Sequence, residues 1–152
     1  MNIDEIKRLA AIDLKITEDK GKNLNITGMA STLALKSNKY HTFLMEIKKI
    51  KRAHDRKLNH KKSYLTDLHM GVLESSVYKT VPVDFKKFRT KSAAVDYIEL
   101  LPVVEELQEK ADELQDFIDY IKGVITIIHS LGFTVKNIIS WERYKNGESG
   151  NE

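Results

Sequence analysis

Nine lysines and arginines crowd residues 39–62: Lys39, Lys48, Lys49, Lys51, Arg52, Arg56, Lys57, Lys61 and Lys62. They face only two acids, Glu46 and Asp55, a local balance of 9 − 2 = +7. Cations at that density can displace the counterions condensed on a phosphate backbone. The resulting affinity ignores base sequence and falls with salt. A second basic cluster follows, Phe85-Lys86-Lys87-Phe88-Arg89-Thr90-Lys91. Rings interleaved with cations can stack the bases of a single strand. The residues read as nucleic-acid contacts are Lys48, Lys49, Lys51, Arg52, Arg56, Lys57, Lys61, Lys62, Lys86, Lys87 and Arg89. The competing reading is a solvated helix face, with Phe85 and Phe88 docked in the core.

Residues 96–119 reverse the sign. Nine acids (Asp96, Glu99, Glu105, Glu106, Glu109, Asp112, Glu113, Asp116, Asp119) meet one base, Lys110, a balance of 1 − 9 = −8. A carboxylate metal centre in a helical bundle would need Glu-x-x-His pairs, and the sequence contains none. The plainer reading is the polar face of a helix; docking of a basic partner, or of the protein's own basic helix, is the third. The formal net charge of +3 hides the split.

Other chemistry finds little support. With no cysteine, disulfides and thiolate metal sites are excluded. His41, His54, His60, His69 and His129 show no metal-ligand spacing, and Gly21-Lys22 lacks the surroundings of a phosphate loop. No Ser/His/Asp set stands out. Neither an enzyme nor a cofactor is expected.

These residues must be positioned by helices. Charged residues make up 31% of the 152, with two prolines and seven glycines, a composition that suits long helices. Asn2 can cap a first helix carrying Ile3, Ile6, Leu9, Ala10 and Leu14 on one face. Glu18 to Asn23 is a polar break, followed by a helix from about Asn23 to Leu35 and a turn or kink at Ser37-Asn38. A long basic helix then runs from about Lys39 to Met70, stopped by Gly71. Residues 72–91 have no helical period and form a connector that leaves room for a short strand near 77–85, which Pro82 opposes. Ser92 is the expected cap of a short helix ending at Glu99, and Pro102 opens the next.

From Val104 the apolar steps alternate three and four through Leu107, Ala111, Leu114, Ile118, Ile121, Ile125 and Ile128. That is a heptad seam. Ser130 to Gly132 reads as a helix stop and tight turn. Thr134 is then the cap of a last helix closing at Gly147. The apolar face widens here beyond the needs of one pair of helices. The surplus (Ile121, Val124, Ile125, Ile128, Leu131, Phe133, Val135, Ile138, Ile139, Trp141, Tyr144) suggests self-association. An ordinary intrachain core is the alternative.

The expected fold is mainly α: long helices in an elongated, coiled-coil arrangement with a C-terminal helical oligomerisation region. The expected regions are 1–91 (basic helix and connector, binding DNA), 92–147 (oligomerisation) and 148–152 (a frayed tail). The start lacks the blocks of a signal peptide, and the wholly apolar runs fall short of a membrane span. A soluble intracellular protein with no membrane partner is expected.

The segment Leu131-Gly132-Phe133-Thr134-Val135-Lys136-Asn137-Ile138-Ile139-Ser140-Trp141, after a long helix bearing Leu114, Phe117 and Ile118, resembles UvsY-type recombination mediators of T-even and related tailed phages. So does Val77-Tyr78-Lys79-Thr80-Val81-Pro82-Val83-Asp84-Phe85-Lys86 followed by Lys91-Ser92, and a basic helix ending Lys61-Lys62-Ser63-Tyr64-Leu65 shortly before Gly71. The resemblance implies a protein that binds single-stranded DNA as a homo-oligomeric ring, a hexamer or heptamer. It implies loading of a RecA-like phage recombinase onto DNA coated by the phage single-strand-binding protein, in the cytoplasm of the infected bacterial host. It brings Lys57, Lys61 and Lys62, with Tyr64, forward as DNA contacts, and assigns oligomerisation to the C-terminal region. The alternative is a helical coiled-coil scaffold or assembly protein with no DNA role.

Overall fold

The computed structural model describes residues 3–15, 26–81 and 85–147. The Asn2 cap, the polar break from Glu18 to Asn23, Pro82, Val83, Asp84 and the 148–152 tail lie outside them. Five helices are present among the described residues: α1 (Ile3–Lys15), α2 (Ile26–Met70), α3 (Ser75–Tyr78), α4 (Lys91–Glu99) and α5 (Pro102–Lys145). None of these residues forms a strand. The mainly-α expectation holds, and the 72–91 connector contains the helical turn α3.

Two compact units partition the chain. Unit 1 comprises residues 1–47 and 117–152, and unit 2 residues 48–116. The helices α2 and α5 each contribute to both.

In unit 1, Ile6 and Ala10 of α1 are buried, with Tyr40 and Ile47 of α2 and Phe117, Ile118, Ile121, Val124, Ile125, Ile128 and Val135 of α5. A polar knot ties α1 to α2. The Asp13 carboxylate accepts from Lys39 Nζ at 3.1 Å and from the Tyr40 hydroxyl at 2.9 Å, while Lys36 Nζ donates to the Asp13 carbonyl at 2.9 Å. Burial alone would raise the Asp13 pKa. The two hydrogen bonds and the Lys39 and Lys36 charges outweigh it and hold the carboxyl below its ordinary value. Burial, then the Asp13 bond and charge, push the Tyr40 hydroxyl well above its ordinary range.

In unit 2 the core joins Leu58 and Leu65 of α2, Ile98 of α4, and Val104 and Ala111 of α5, with Leu68, Tyr97, Leu101 and Leu107 packed against it. Sequence leaves a polar gap in the α2 seam around residue 54. His54 fills it: half-buried, its Nε2–H donates to the Leu107 carbonyl at 2.8 Å. The end of α2 is closed by a left-handed Gly71 (φ +77°). Gly71 N–H donates to Leu68 O and Val72 N–H to Asp67 O, both at 3.1 Å, so the last turn's carbonyls are satisfied.

Three local expectations are corrected. The helix α2 runs through Ser37-Asn38 without a break; Ser37 Oγ bonds His129 Nε2 at 3.2 Å instead of turning the chain. Likewise α5 runs through Gly132. Thr134 is not a cap, since its hydroxyl donates back to Ser130 O at 3.1 Å within the helix. A helical glycine costs only about 1 kcal/mol, and Ile128 and Val135, buried on either side of Gly132, offset that. The cap of α4 is Thr90, which accepts from Ala93 N–H at 3.4 Å, and not Ser92. Gly123 and Gly132 meet no neighbouring atom where a Cβ would stand.

Candidate nucleic-acid interface

A helix turns about 100° per residue. On that wheel Ile47, Leu58 and Leu65 mark the inward side of α2. Lys49, Arg52 and Arg56 fall on the opposite side, with Lys48 at one edge and Lys57, His60 and Tyr64 at the other. All seven of these outward residues are exposed, Tyr64 to 46%. The phenol is the aromatic on this face of unit 2 open to a ligand.

The remaining basic residues are differently employed. Lys51 is half-buried and paired to Asp55 at 2.8 Å. Arg52 keeps its Nε–H on the Lys48 carbonyl at 3.2 Å, which leaves its terminal nitrogens outward. Lys61 is half-buried on the flank. Lys62 turns inward: its ammonium lies 3.5 Å from Glu99 and 3.4 Å from Gln108, in a cleft also lined by Glu105, Glu109 and Asp112. A phosphate there would meet carboxylates, so Lys62 is the expected contact least suited to DNA.

Apart from Lys62, the acidic stretch offers the basic one no ion-pair partner among the described residues. Glu105, Glu106, Glu109, Asp112, Glu113 and Asp116 are all exposed, and α2 and α5 meet through apolar seams. Among the described residues of unit 2, the ion pair that links separate elements is Lys62–Glu99.

Phe85 and Phe88 are not free stacking platforms. Both are half-buried against His69. Its imidazole stacks on Phe85 (centroids 4.4 Å, 18° between planes), meets the edge of Tyr97 at 5.0 Å, and lies 6.1 Å from Phe88. Lys86 lies over the Tyr97 ring at 5.4 Å and Lys87 over Tyr78 at 4.5 Å; both are exposed, as is Arg89. Sequence reasoning passed over His69, Tyr78 and Tyr97. The available signal was a histidine in the last turn before a stopping glycine, followed by an aromatic-rich connector.

In unit 1 the expected oligomerisation residues divide. Ile121, Val124, Ile125, Ile128 and Val135 are spent in the protomer's own core, and Leu131 and Ile139 are half-buried. Phe133 (70% exposed), Ile138, Trp141 (57%) and Tyr144 (66%) are bare. Trp141 and Tyr144 stack on each other at 5.8 Å. An open apolar groove of about 630 Å³, lined by Leu33, Ala34, Ile128, Phe133, Val135 and Ile139, lies alongside. By length and composition α5 even contains a stretch apolar enough to cross a membrane, and only 22% of it is buried. The wholly-apolar-run criterion misses it because charged residues interrupt the pattern.

No group of three or more His, Cys, Asp or Glu able to hold a metal ion occurs among the described residues. Long helices that turn unneutralised cations outward define a helical polyanion-binding protein. The chain belongs to the UvsY family: the family model, described as recombination, repair and ssDNA binding protein UvsY, matches residues 8–148, nearly the whole chain. No curated protein and no solved structure gives a significant match.

Proposed function

We propose that this protein is a recombination mediator and not an enzyme. Several copies assemble as a homo-oligomeric ring, a hexamer or heptamer, through the bare C-terminal face of α5. Each copy contributes the outward row of α2 to one DNA strand. Weak phosphate contacts then act together, because linked sites raise each other's effective concentration. Holding the strand in this way loosens the phage single-strand-binding protein and favours nucleation of a RecA-like recombinase, which supplies the ATP chemistry. The setting is the cytoplasm of an infected bacterial host, with no membrane partner.

The observation that carries the reading, beyond family membership, is that Lys49, Arg52 and Arg56 are exposed on the side of α2 away from its core and have no carboxylate partner among the described residues, the nearby acids of α5 lining the Lys62 cleft instead. A scaffold built on pairing the basic with the acidic helix would bury those charges. The test is native mass with and without an oligo(dT) strand, together with binding titrations across salt. A ring that gains one strand, with affinity falling steeply in salt, is expected. A monomer, or binding indifferent to salt, overturns it.

A further inference from the structure

We infer that His69 is a positioning residue for single-stranded-DNA binding: its buried imidazole clasps the 85–88 segment to the end of α2, and so sets Lys87 as the last cation of the α2 row. The inference rests on the DNA-binding reading above and adds to it a residue that itself meets no phosphate.

The clasp has two bonds. A carbonyl only accepts, so His69 Nδ1 carries the hydrogen and donates to Lys86 O at 2.7 Å. The His69 carbonyl in turn accepts from Phe88 N–H at 2.9 Å. Side chain and backbone of one residue thus grip the segment on both sides of Lys87. His69 is 6% exposed, so the imidazole side of this part-buried bond is shielded from competing water, and losing the donor would remove the side-chain half of the grip.

The segment's place follows from the grip. The Lys87 side chain passes Gly71: its Cδ lies 3.8 Å, and its Nζ 3.9 Å, from where a Gly71 Cβ would stand. On the helical wheel Gly71 continues the line of Lys49, Arg56, Lys57, His60 and Tyr64. The line from Lys49 to Gly71 is about 33 Å long at 1.5 Å per residue. Its end needs a cation, because α2 offers none after Lys62 and presents Asp67 on this side. Lys87 supplies it, lodged over the Tyr78 ring. Tyr78 is itself pinned, its hydroxyl donating to Leu68 O at 3.1 Å and accepting from Leu73 N–H at 3.2 Å. Neither Lys86 nor Lys87 has a carboxylate partner among the described residues.

The test compares the salt dependence of oligo(dT) binding for wild type, His69→Phe, His69→Asn, Lys87→Gln and the double variant His69→Phe/Lys87→Gln. Phenylalanine keeps the ring on Phe85 but loses the donor; asparagine keeps an N–H donor near the Nδ1 position. Losing one phosphate contact should flatten the log–log salt slope by about 0.7 per engaged protomer, roughly a fivefold loss at 0.1 M salt. His69→Phe and Lys87→Gln should each show that loss, the double variant no more than either, and His69→Asn should recover the wild-type slope. A wild-type slope in His69→Phe, or losses that simply add in the double variant, overturns the clasp. If His69→Phe fails to fold by circular dichroism, Lys87→Gln alone decides, since its exposed side chain leaves the core intact, and an unchanged slope there is fatal. Wild type that binds no DNA instead refutes the underlying reading, a distinguishable result.

Discussion

Neutralising the outward row of α2 is the sharpest probe of the proposed interface. The perturbation is Lys49→Gln, Arg52→Gln and Arg56→Gln together. All three side chains are exposed and none has a carboxylate partner among the described residues. Glutamine is nearly as good a helix former as lysine or arginine, so the helical signal in circular dichroism should not move. Each cation on a single strand contributes about 0.7 to the log–log salt slope, so three flatten it by about 2.1. At 0.1 M salt that is on the order of a hundredfold weaker binding, or about 3 kcal/mol per engaged protomer. The two titration curves should converge as salt approaches 1 M, where counterion release no longer drives binding. Fluorescence anisotropy of a labelled oligo(dT) across a salt series reads the slope directly, and a slope is immune to errors in active fraction. Lys62→Gln is the control, because that ammonium already lies among Glu99, Gln108 and the acids of its cleft. Parallel curves for the triple variant, or a Lys62 effect as large as one outward cation, would refute the reasoning.

Four further outcomes follow from the packing. Trp141→Ala with Phe133→Asp should yield smaller species in sedimentation velocity with helicity intact, because both side chains are bare in the protomer; unchanged mass rejects this assembly face. By contrast Ile121→Asp should unfold the protomer, its site being fully buried. Asp13→Asn should cost about 2 kcal/mol in denaturant unfolding at neutral pH, since it removes a charge held by three α2 partners. The sign of its pH dependence is set by the lowered carboxyl: the contribution is complete above the ordinary value of 3.8 and is lost as pH falls through the lower folded value. Wild type should therefore lose its advantage over Asp13→Asn progressively as pH falls below the ordinary carboxyl value of 3.8, and a gap that does not shrink on acidification contradicts the knot. Gly71→Ala should destabilise unit 2 by about 1–2 kcal/mol through its left-handed backbone alone, the nearest Lys87 atoms leaving ordinary contact distance for the methyl; an unmoved urea midpoint would refute it.

Periodicity, charge and punctuation carried much of this fold. The three-four alternation from Val104 to Ile128 is buried or half-buried at every step, because a seam of that period can face only one way on a helix. Gly71 and Pro102 stand at the boundaries their backbone preferences dictate. The breaks at Ser37-Asn38 and Gly132 failed because those signals cost about a kilocalorie or less each, which the packing of long seams outweighs. Ser92 lost the α4 cap to Thr90, two residues earlier, for a different reason: either hydroxyl could serve locally, and only the helix's starting turn selects one.

The candidate interface divides along the same line. Composition and order alone determined a basic helix, an acidic helix and an apolar C-terminus, because these depend on residue type and on one helix at a time. Which cation faces outward depends on how elements meet. The sequence offers Lys62 and Lys57 as equivalent; packing sends Lys62 to Glu99 and leaves Lys57 exposed. Likewise Ile121 and Trp141 look alike as apolar surplus, yet one is core and the other bare. His69 stands in the last turn before Gly71, but its role is not local, since its partners lie 17 residues away at Lys86 and farther at Tyr97. Contacts between distant residues are made by the tertiary fold, and so only the fold could decide which charges remain for DNA and which apolar faces remain for another copy.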